Sequence, residues 1–252
     1  MTVMDKTKLQ LINRRFLRYN PPEAEKDYFL AVVSKIINKS PLKDNLVFKG
    51  GTALNHCYLD QLRFSEDLDF TSLDRSINPS EVREVLESGN VFKVKKDYLS
   101  KATIKIERLL YTGPLQQTNS LKIEIDFAQN VILPAKEMEY KNVWGLDVKV
   151  NVMDIREICA EKIRAMSDRA RYRDFYDFYQ IIKNFDIKLK EIIELIKQKE
   201  IRKPITKKSI MQNWQLAKQD KQSEQGRVYY KEDVTEEDIE KTIIRLPFVA
   251  CR

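Results

Sequence analysis

The chain has 252 residues and a formal net charge of +7, from 45 Lys and Arg against 38 Asp and Glu, with only 6 Gly, 1 His and 3 Cys. From these glycines neither a G-x-G-x-x-G fingerprint nor a G-x-x-x-x-G-K-[ST] phosphate loop can be written. The lone His56 excludes H-E-x-x-H zinc sites and His–His metal clusters. Cys57, Cys159 and Cys251, odd in number and far apart, support neither a disulfide framework nor a zinc knuckle. Chemistry is left to carboxylates, amines, guanidiniums and hydroxyls, with or without a hard metal.

Hydrophobic residues make up 42% of the chain, enough for a core, yet no apolar run approaches a membrane span. The start, Met1-Thr-Val-Met-Asp-Lys6, lacks a signal-peptide layout, and free thiols without such a signal suit a reducing cytoplasm. The basic excess suits a solvated mixed surface or a nucleotide or nucleic-acid partner. It is densest between Lys188 and Lys208, where Lys188, Lys190, Lys197, Lys199, Arg202, Lys203, Lys207 and Lys208 face only Glu191, Glu194 and Glu200.

Along the chain, Pro21-Pro22 ends a basic segment, Lys6 to Arg18, and the spacing of Phe29, Val32, Val33, Ile36 and Ile37 predicts a helix from Glu23 to about Asn38. Leu46-Val-Phe48 reads as a short buried strand stopped by Gly50-Gly51, and Thr52 to Tyr58 as a helix. Asp67-Leu-Asp-Phe70 alternates as a half-buried strand does. Asn78-Pro79 opens a further helix, with Pro in its first turn. Alternating segments follow at Val91–Lys95, Thr103–Leu109, Leu121–Phe127 and Val148–Val152. From Asp154 the period becomes helical, over 155–166, 174–184, 187–198 and more weakly 207–217 and 235–245, while Lys221–Glu232 reads as a loop. The boundary between a mixed α/β part and an all-helical part falls near residue 153.

The chemistry gathers in Lys49-Gly-Gly-Thr-Ala-Leu54 and Arg63-Phe-Ser-Glu-Asp-Leu-Asp-Phe70. Two glycines between a strand and a helix let the backbone turn sharply and approach a ligand closely, and the first amides of the helix form an anion site. Asp67 and Asp69 share one strand face, with Cα atoms about 6.6–6.8 Å apart. Such a pair needs cations or exposure, and a solvent-facing edge strand is the plain alternative to a metal pair. In Leu121-Lys-Ile-Glu-Ile-Asp-Phe127 the acids Glu124 and Asp126 share the polar face. Beside the first pair, a third carboxylate would let two divalent ions sit about 3.5–4 Å apart, as in-line phosphoryl transfer uses them. All-oxygen ligation favours magnesium or manganese.

These two segments resemble the nucleotidyltransferases of the AbiEii/AbiGii-like toxin family, in the DNA polymerase β-like superfamily. Glu161-Lys-Ile-Arg-Ala-Met-Ser-Asp-Arg-Ala-Arg-Tyr-Arg-Asp-Phe-Tyr-Asp177 resembles a second signature of that family, carried here by Lys162, Arg169, Arg173, Asp174 and Asp177, and Glu25-Lys-Asp-Tyr-Phe29 its first helix. The resemblance covers about residues 23–184. It implies an α+β fold, a nucleotidyltransferase-type mixed sheet with flanking helices over 1–153 and a helical domain over 154–252. It also implies a Gly-Gly turn cradling the triphosphate (Lys49, Gly50, Gly51, Thr52 and Ser65), Asp67 and Asp69 on magnesium, and a nucleotidyl group moved to an acceptor. Some relatives are toxins that add nucleotides to tRNA 3′ ends and are countered by a separately encoded antitoxin. Asp126 is the variable third acid, with Glu124 as its rival.

Read on its own physics, Lys162 and Arg169 are seven apart on one helix face and suit nucleotide phosphates, as does Arg173. Asp174 suits orienting Lys162 or acting as a base on the acceptor. Alternatively, Arg173, Asp174 and Asp177 are interhelical ion pairs. His56 reads as a packed histidine, Cys57 and Cys159 as small buried hydrophobes, and Tyr172, Phe175, Tyr176, Phe178 and Tyr179 as core rather than a base-stacking platform. The expected activity is metal-dependent (Mg²⁺ or Mn²⁺) transfer of a nucleotide from an NTP to an RNA hydroxyl by a cytoplasmic, membrane-free toxin. The competing expectations are transfer to a small molecule such as an aminoglycoside or to protein, and a non-catalytic nucleotide- or RNA-binding protein of the same fold.

Overall fold

The computed structural model describes residues 4–74, 76–199, 203–224, 227–247 and 250–251. The first three residues, and Glu200 and Arg202 of the basic stretch, lie outside the described residues. By its contacts the chain divides into two compact units, residues 1–128 with 135–152 and residues 129–134 with 153–252.

The first unit opens with α1 (Lys6–Ile12), which Asp5 caps by accepting from the Lys8 amide at 2.8 Å and which runs into a π-helical turn, Asn13–Leu17. Pro21-Pro22 does not end a segment but starts α2 (Pro21–Asn38). The proline ring presets the helical φ, and its missing N–H is one that a first helical turn leaves unbonded. Next come β1 (Leu46–Lys49), α3 (Gly50–Ala53) with a π-helical turn (Leu54–Tyr58), β2 (Asp67–Ser72) and α4 (Pro79–Glu87), whose cap Asn78 accepts from the Glu81 amide. The unit closes with β3 (Lys93–Leu99), β4 (Thr103–Thr112), β5 (Thr118–Asp126), β6 (Lys136–Glu139) and β7 (Lys149–Val152). Sequence alternation had marked all of these strands except β6, an edge strand whose exposed KEME run has no apolar period.

All seven strands form one sheet in the order β3-β4-β5-β2-β1-β7-β6. β2 runs parallel to β5 and antiparallel to β1, which itself lies parallel to β7. Leu68, Phe70, Ile123 and Ile125 are at most 2% exposed. The same strands carry their acids on alternate positions, so burial of one face sends the charges to the other. α2 packs against β5 and β7 through a buried stripe that includes Phe29, Leu30 and Val33.

The second unit holds α5 (Ile155–Asp168), α6 (Tyr172–Asn184), α7 (Leu189–Gln198), α8 (Lys207–Glu224) and α9 (Glu236–Ile244). It is not all-helical: Ile205–Thr206 and Ala250–Cys251 pair as a short antiparallel ribbon, β8–β9. The helix over the weak 207–217 pattern extends to Glu224, into the segment expected as a loop. Tyr172 and Phe175 pack on the buried Trp214 ring, with centroids 6.0 and 5.2 Å away, and Tyr172, Phe175, Tyr176 and Phe178 are core, whereas Tyr179 is half-buried. Within the described residues no helix is long and apolar enough to cross a membrane.

Candidate active site

The sheet brings the two sequence motifs of the first unit together. Lys49, at the end of β1, stands opposite Asp69 in the register, so the chain reaches Gly50 directly beside that carboxylate. Gly50 has φ +76°, and a Cβ placed on it would lie 2.4 Å from Asp69 Oδ2. A Cβ on Gly51 would lie 2.6 Å from Arg63 Nη2 and 2.9 Å from Ser65 Oγ. Only glycine permits both the left-handed backbone and the close approach, so each glycine is held by a separate steric demand.

The segment after the turn is tied to the acidic strand from the other side. The Thr52 hydroxyl donates to the Asp67 carbonyl at 2.5 Å and lies 3.0 Å from Ser65 Oγ. Asn55 donates to the Gly51 carbonyl at 2.9 Å and accepts from the Arg63 amide at 3.2 Å. The fully buried Arg63 donates to the Phe64 carbonyl at 2.9 Å and so fills the space beneath Gly51. Thr52 and Ser65 therefore fix the turn onto the start of β2. Arg63, an unassigned neighbour of the motif acids, proves to be part of the same brace; its GGT…RFS spacing carried no signal for that role.

Asp67 and Asp69 lie on one face of β2, partly accessible, and among the described residues neither carboxylate has an ion-pair partner. Burial pushes the Asp69 carboxyl up to about 6; Asp67 and Glu124 add to the rise, and Lys49 and Lys122 oppose it. A carboxylate this reluctant to ionise is one that a cation would stabilise.

The third acid is engaged elsewhere. The parallel register sets Glu124 beside Asp69 and Asp126 beside Thr71. Asp126 takes the buried Lys49 ammonium at 3.2 Å and the Ala128 amide at 2.8 Å, while Glu124 takes Lys105 at 3.1 Å. Among the described residues no three His, Cys, Asp or Glu side chains gather to hold a metal. Of the acids on β2 and β5, Asp67 and Asp69 are thus the two left without an ion-pair partner among the described residues, and such oxygen donors suit a hard ion.

The second signature forms a separate constellation within the helical unit. Lys162 of α5 is buried between two carboxylates of α6, 3.0 Å from Asp174 Oδ1 and 2.7 Å from Asp177 Oδ2. Arg169, the residue that ends α5, makes a fork on Asp174 at 2.8 and 3.3 Å. Burial works against the Asp174 charge, but Lys162 and Arg169 outweigh it and hold the carboxyl well below the usual range. This is the interhelical ion-pair arrangement, with Asp174 orienting Lys162. Arg173 sits half-buried in the first turn of α6.

Several other expectations resolve here. His56 is packed: its ring stacks on Tyr140 with centroids 4.3 Å apart, and Nδ1 meets the Lys141 carbonyl at 2.8 Å. Cys57 and Cys159 are buried, and burial pushes the Cys57 thiol up to about 12. The basic stretch of the helical unit is thinner than the sequence implied. Lys199 is 6% exposed, between Glu157 at 2.5 Å and Glu161 at 3.3 Å, while Lys188, Lys190, Lys197, Lys203 and Lys208 remain at the surface.

Among solved structures the chain is similar to MenT4, a nucleotidyltransferase toxin from Mycobacterium tuberculosis H37Rv, at 17% identity and a TM-score of 0.59. The likeness covers 94% of this chain and 98% of that one, and it extends to the fold. No curated protein matches the chain significantly. Residues 32–243 match the family described as nucleotidyl transferase AbiEii toxin, type IV toxin–antitoxin system, and the chain belongs to this family of nucleotidyltransferases.

Proposed function

We propose that this nucleotidyltransferase moves a nucleoside monophosphate from an NTP to a hydroxyl of RNA, a tRNA 3′ end being the favoured acceptor, and that it acts as a toxin restrained by a separately encoded antitoxin. The observation that carries the reading is the contact of Gly50 with the Asp69 carboxylate. A triphosphate lying against the Gly50-Gly51 backbone has its phosphates next to the two acids that most need a cation.

In this account Asp67 and Asp69 would hold Mg²⁺ or Mn²⁺, which would supply charge neutralisation at the phosphates. The amides of the Gly50–Thr52 turn cradle the phosphates, and the Thr52 and Ser65 hydroxyls keep that turn against β2. Asp126 sets the position of Lys49, whose ammonium supplies positive charge beside Asp69. The acceptor hydroxyl gives up its proton to solvent as its oxygen bonds to the α-phosphorus, while the bond from that phosphorus to the bridging oxygen breaks and pyrophosphate leaves in line. Asp174 is a poor base, because a carboxyl held so low has little affinity for a proton at neutral pH. Its role is to fix Lys162 and to aim the half-exposed Arg169 guanidinium, which with Arg173 is the helical unit's candidate for phosphate contact. The surface lysines between Lys188 and Lys208 favour a polyanionic acceptor over a cationic drug.

Incubating the purified protein with each labelled NTP, Mg²⁺ and total RNA tests the reading. Label should enter the RNA fraction and stay out of protein and small-molecule fractions. Label confined to either of the latter would move the acceptor; none anywhere would count against an active transferase.

A further inference from the structure

The basic segment at the start of the first unit takes no part in the site described above. Between Lys6 and Pro22 the chain has five Lys and Arg and no acid. Its helical run, α1 and the π-helical turn, buries one row, Leu9, Asn13 and Leu17, spaced four apart. Lys6, Lys8, Arg14, Arg15 and Arg18 are all exposed, and none has an ion-pair partner among the described residues. The acid before them, Asp5, accepts from the Lys8 amide as the cap of α1. Among these cations an aromatic ring is also exposed: Phe16, at 49%, with the Arg15 guanidinium 5.0 Å from its centroid.

The end of the segment is fixed to the loop that leads into β2. Arg18 has φ +60°, an uncommon conformation for a residue with a side chain, and its amide donates to the Asn13 carbonyl at 2.7 Å. The buried Asn13 side chain then holds Tyr19 at both ends, donating to its carbonyl at 2.7 Å and accepting from its N–H at 3.0 Å. The Tyr19 ring packs on Phe64, with centroids 5.2 Å apart. Phe64 precedes Ser65, whose hydroxyl meets that of Thr52, so the basic segment is anchored to the brace of the Gly-Gly turn.

Unpaired Lys and Arg in such a run suit a polyanion, and the planar fork of arginine matches phosphate oxygens. A lipid surface calls for a helix with a free apolar face, and here the apolar row of Leu9 and Leu17 is turned into the core. Phe16 adds what charge alone lacks, an exposed ring beside cations on which an unpaired base can stack.

We propose that Lys6–Arg18 is a docking surface for single-stranded RNA, with phosphates on Arg14, Arg15 and Arg18 and a base on Phe16, and that it holds the acceptor strand for transfer. The choice of RNA over DNA rests on the acceptor of the proposed function.

Fluorescence anisotropy of labelled dodecauridylate, without NTP, reads binding to the full-length protein apart from transfer. The triple variant Arg14→Gln, Arg15→Gln, Arg18→Asn, in which Asn tolerates the left-handed backbone, should weaken binding about tenfold or more at physiological salt. The slope of log K against log salt should flatten by about 2, from three contacts at about 0.7 each. Phe16→Leu should weaken binding about fivefold and leave the slope unchanged, a split that charge alone would not give. In the transfer assay the triple variant should raise KM for RNA and leave KM for NTP unchanged, and thermal melts verify that both variants fold. Unchanged dodecauridylate affinity in the folded triple variant would overturn the proposal, as would tighter binding of phosphatidylserine vesicles or of polyglutamate through the same three arginines. Dodecauridylate binding lost in the variant, with no transfer to RNA by the wild type, would uphold the docking surface and overturn the proposed acceptor. Transfer to RNA that the triple variant leaves unaltered would do the reverse.

Discussion

Two acidic clusters, one in each unit, are built in opposite ways. In the helical unit, Asp174 and Asp177 already have their cations: Lys162 lies between them and Arg169 clamps the first. In the sheet unit, Asp67 and Asp69 share a face with no ion-pair partner among the described residues, and Lys49, opposite Asp69 in the register, pairs with Asp126. The first arrangement is self-contained and serves structure and positioning. The second lacks a counter-charge, which the metal of the proposed function would supply. Under the proposed function it is the missing counter-charge, rather than acidity alone, that distinguishes the pair assigned to catalysis.

The contrast can be broken first in the helical unit. Lys162→Met removes the buried ammonium that Asp174 and Asp177 share, and removing one partner of a buried pair costs about 3–5 kcal/mol. Chemical denaturation should show that loss. Adding Asp174→Asn and Asp177→Asn should restore much of it, and a loss under 1 kcal/mol from Lys162→Met alone would show that the network is not what holds α5 to α6.

Gly50→Ala comes next. A left-handed backbone conformation in a non-glycine residue costs about 1–3 kcal/mol, and the new methyl must also displace the Asp69 carboxylate, 2.4 Å from its position. Stability should fall by that order, and NTP binding should fall more than in a matched Gly89→Ala control, where a Cβ meets nothing within 4 Å. Equal binding in the two variants would separate the turn from the phosphate site.

The pH dependence of the two clusters runs in opposite directions. Asp174, held low in the fold, contributes stability above the unfolded value of about 3.9 and loses it as pH falls through its depressed value. Asp69, raised to about 6, is neutral at no penalty below pH 3.9 and destabilises the metal-free protein as pH rises from there through 6. Asp69→Asn should therefore stabilise the metal-free protein at pH 8, by on the order of 1–2 kcal/mol after allowance for solvent screening, and change little near pH 4. Melting curves at the two pH values, with no gain at pH 8, would contradict the strained-acid account. The smallest effect is a control. The exposed Lys26–Glu66 pair, 2.8 Å apart, should contribute no more than about 1 kcal/mol, so Glu66→Ala should leave stability nearly unchanged.

What the sequence disclosed follows the range of the signal. Alternation exposed Asp67 and Asp69 as a same-face pair, because strand period is local. The Gly-Gly turn was legible for the same reason. The fate of Asp126 was not: its partner Lys49 lies 77 residues away, and the two meet only because β1 and β5 flank β2. Lys199 read as surface charge in a basic run, yet its burial depends on Glu157 and Glu161 of another helix. β6, β8 and β9 were missed because an exposed edge strand and two-residue strands have no period to read. The α5–α6 ion pairs were half legible, since spacing gave the residues and only packing gave their partners.

The central claim is that Asp67 and Asp69 are short of a cation while Asp174 and Asp177 are not. Electron paramagnetic resonance of free Mn²⁺ titrated with the protein measures this directly at pH 7.5. The wild type should bind Mn²⁺, Asp67→Asn with Asp69→Asn should lose that binding, and Asp177→Asn should retain it. Undiminished Mn²⁺ binding by the folded Asp67→Asn, Asp69→Asn protein would contradict the account.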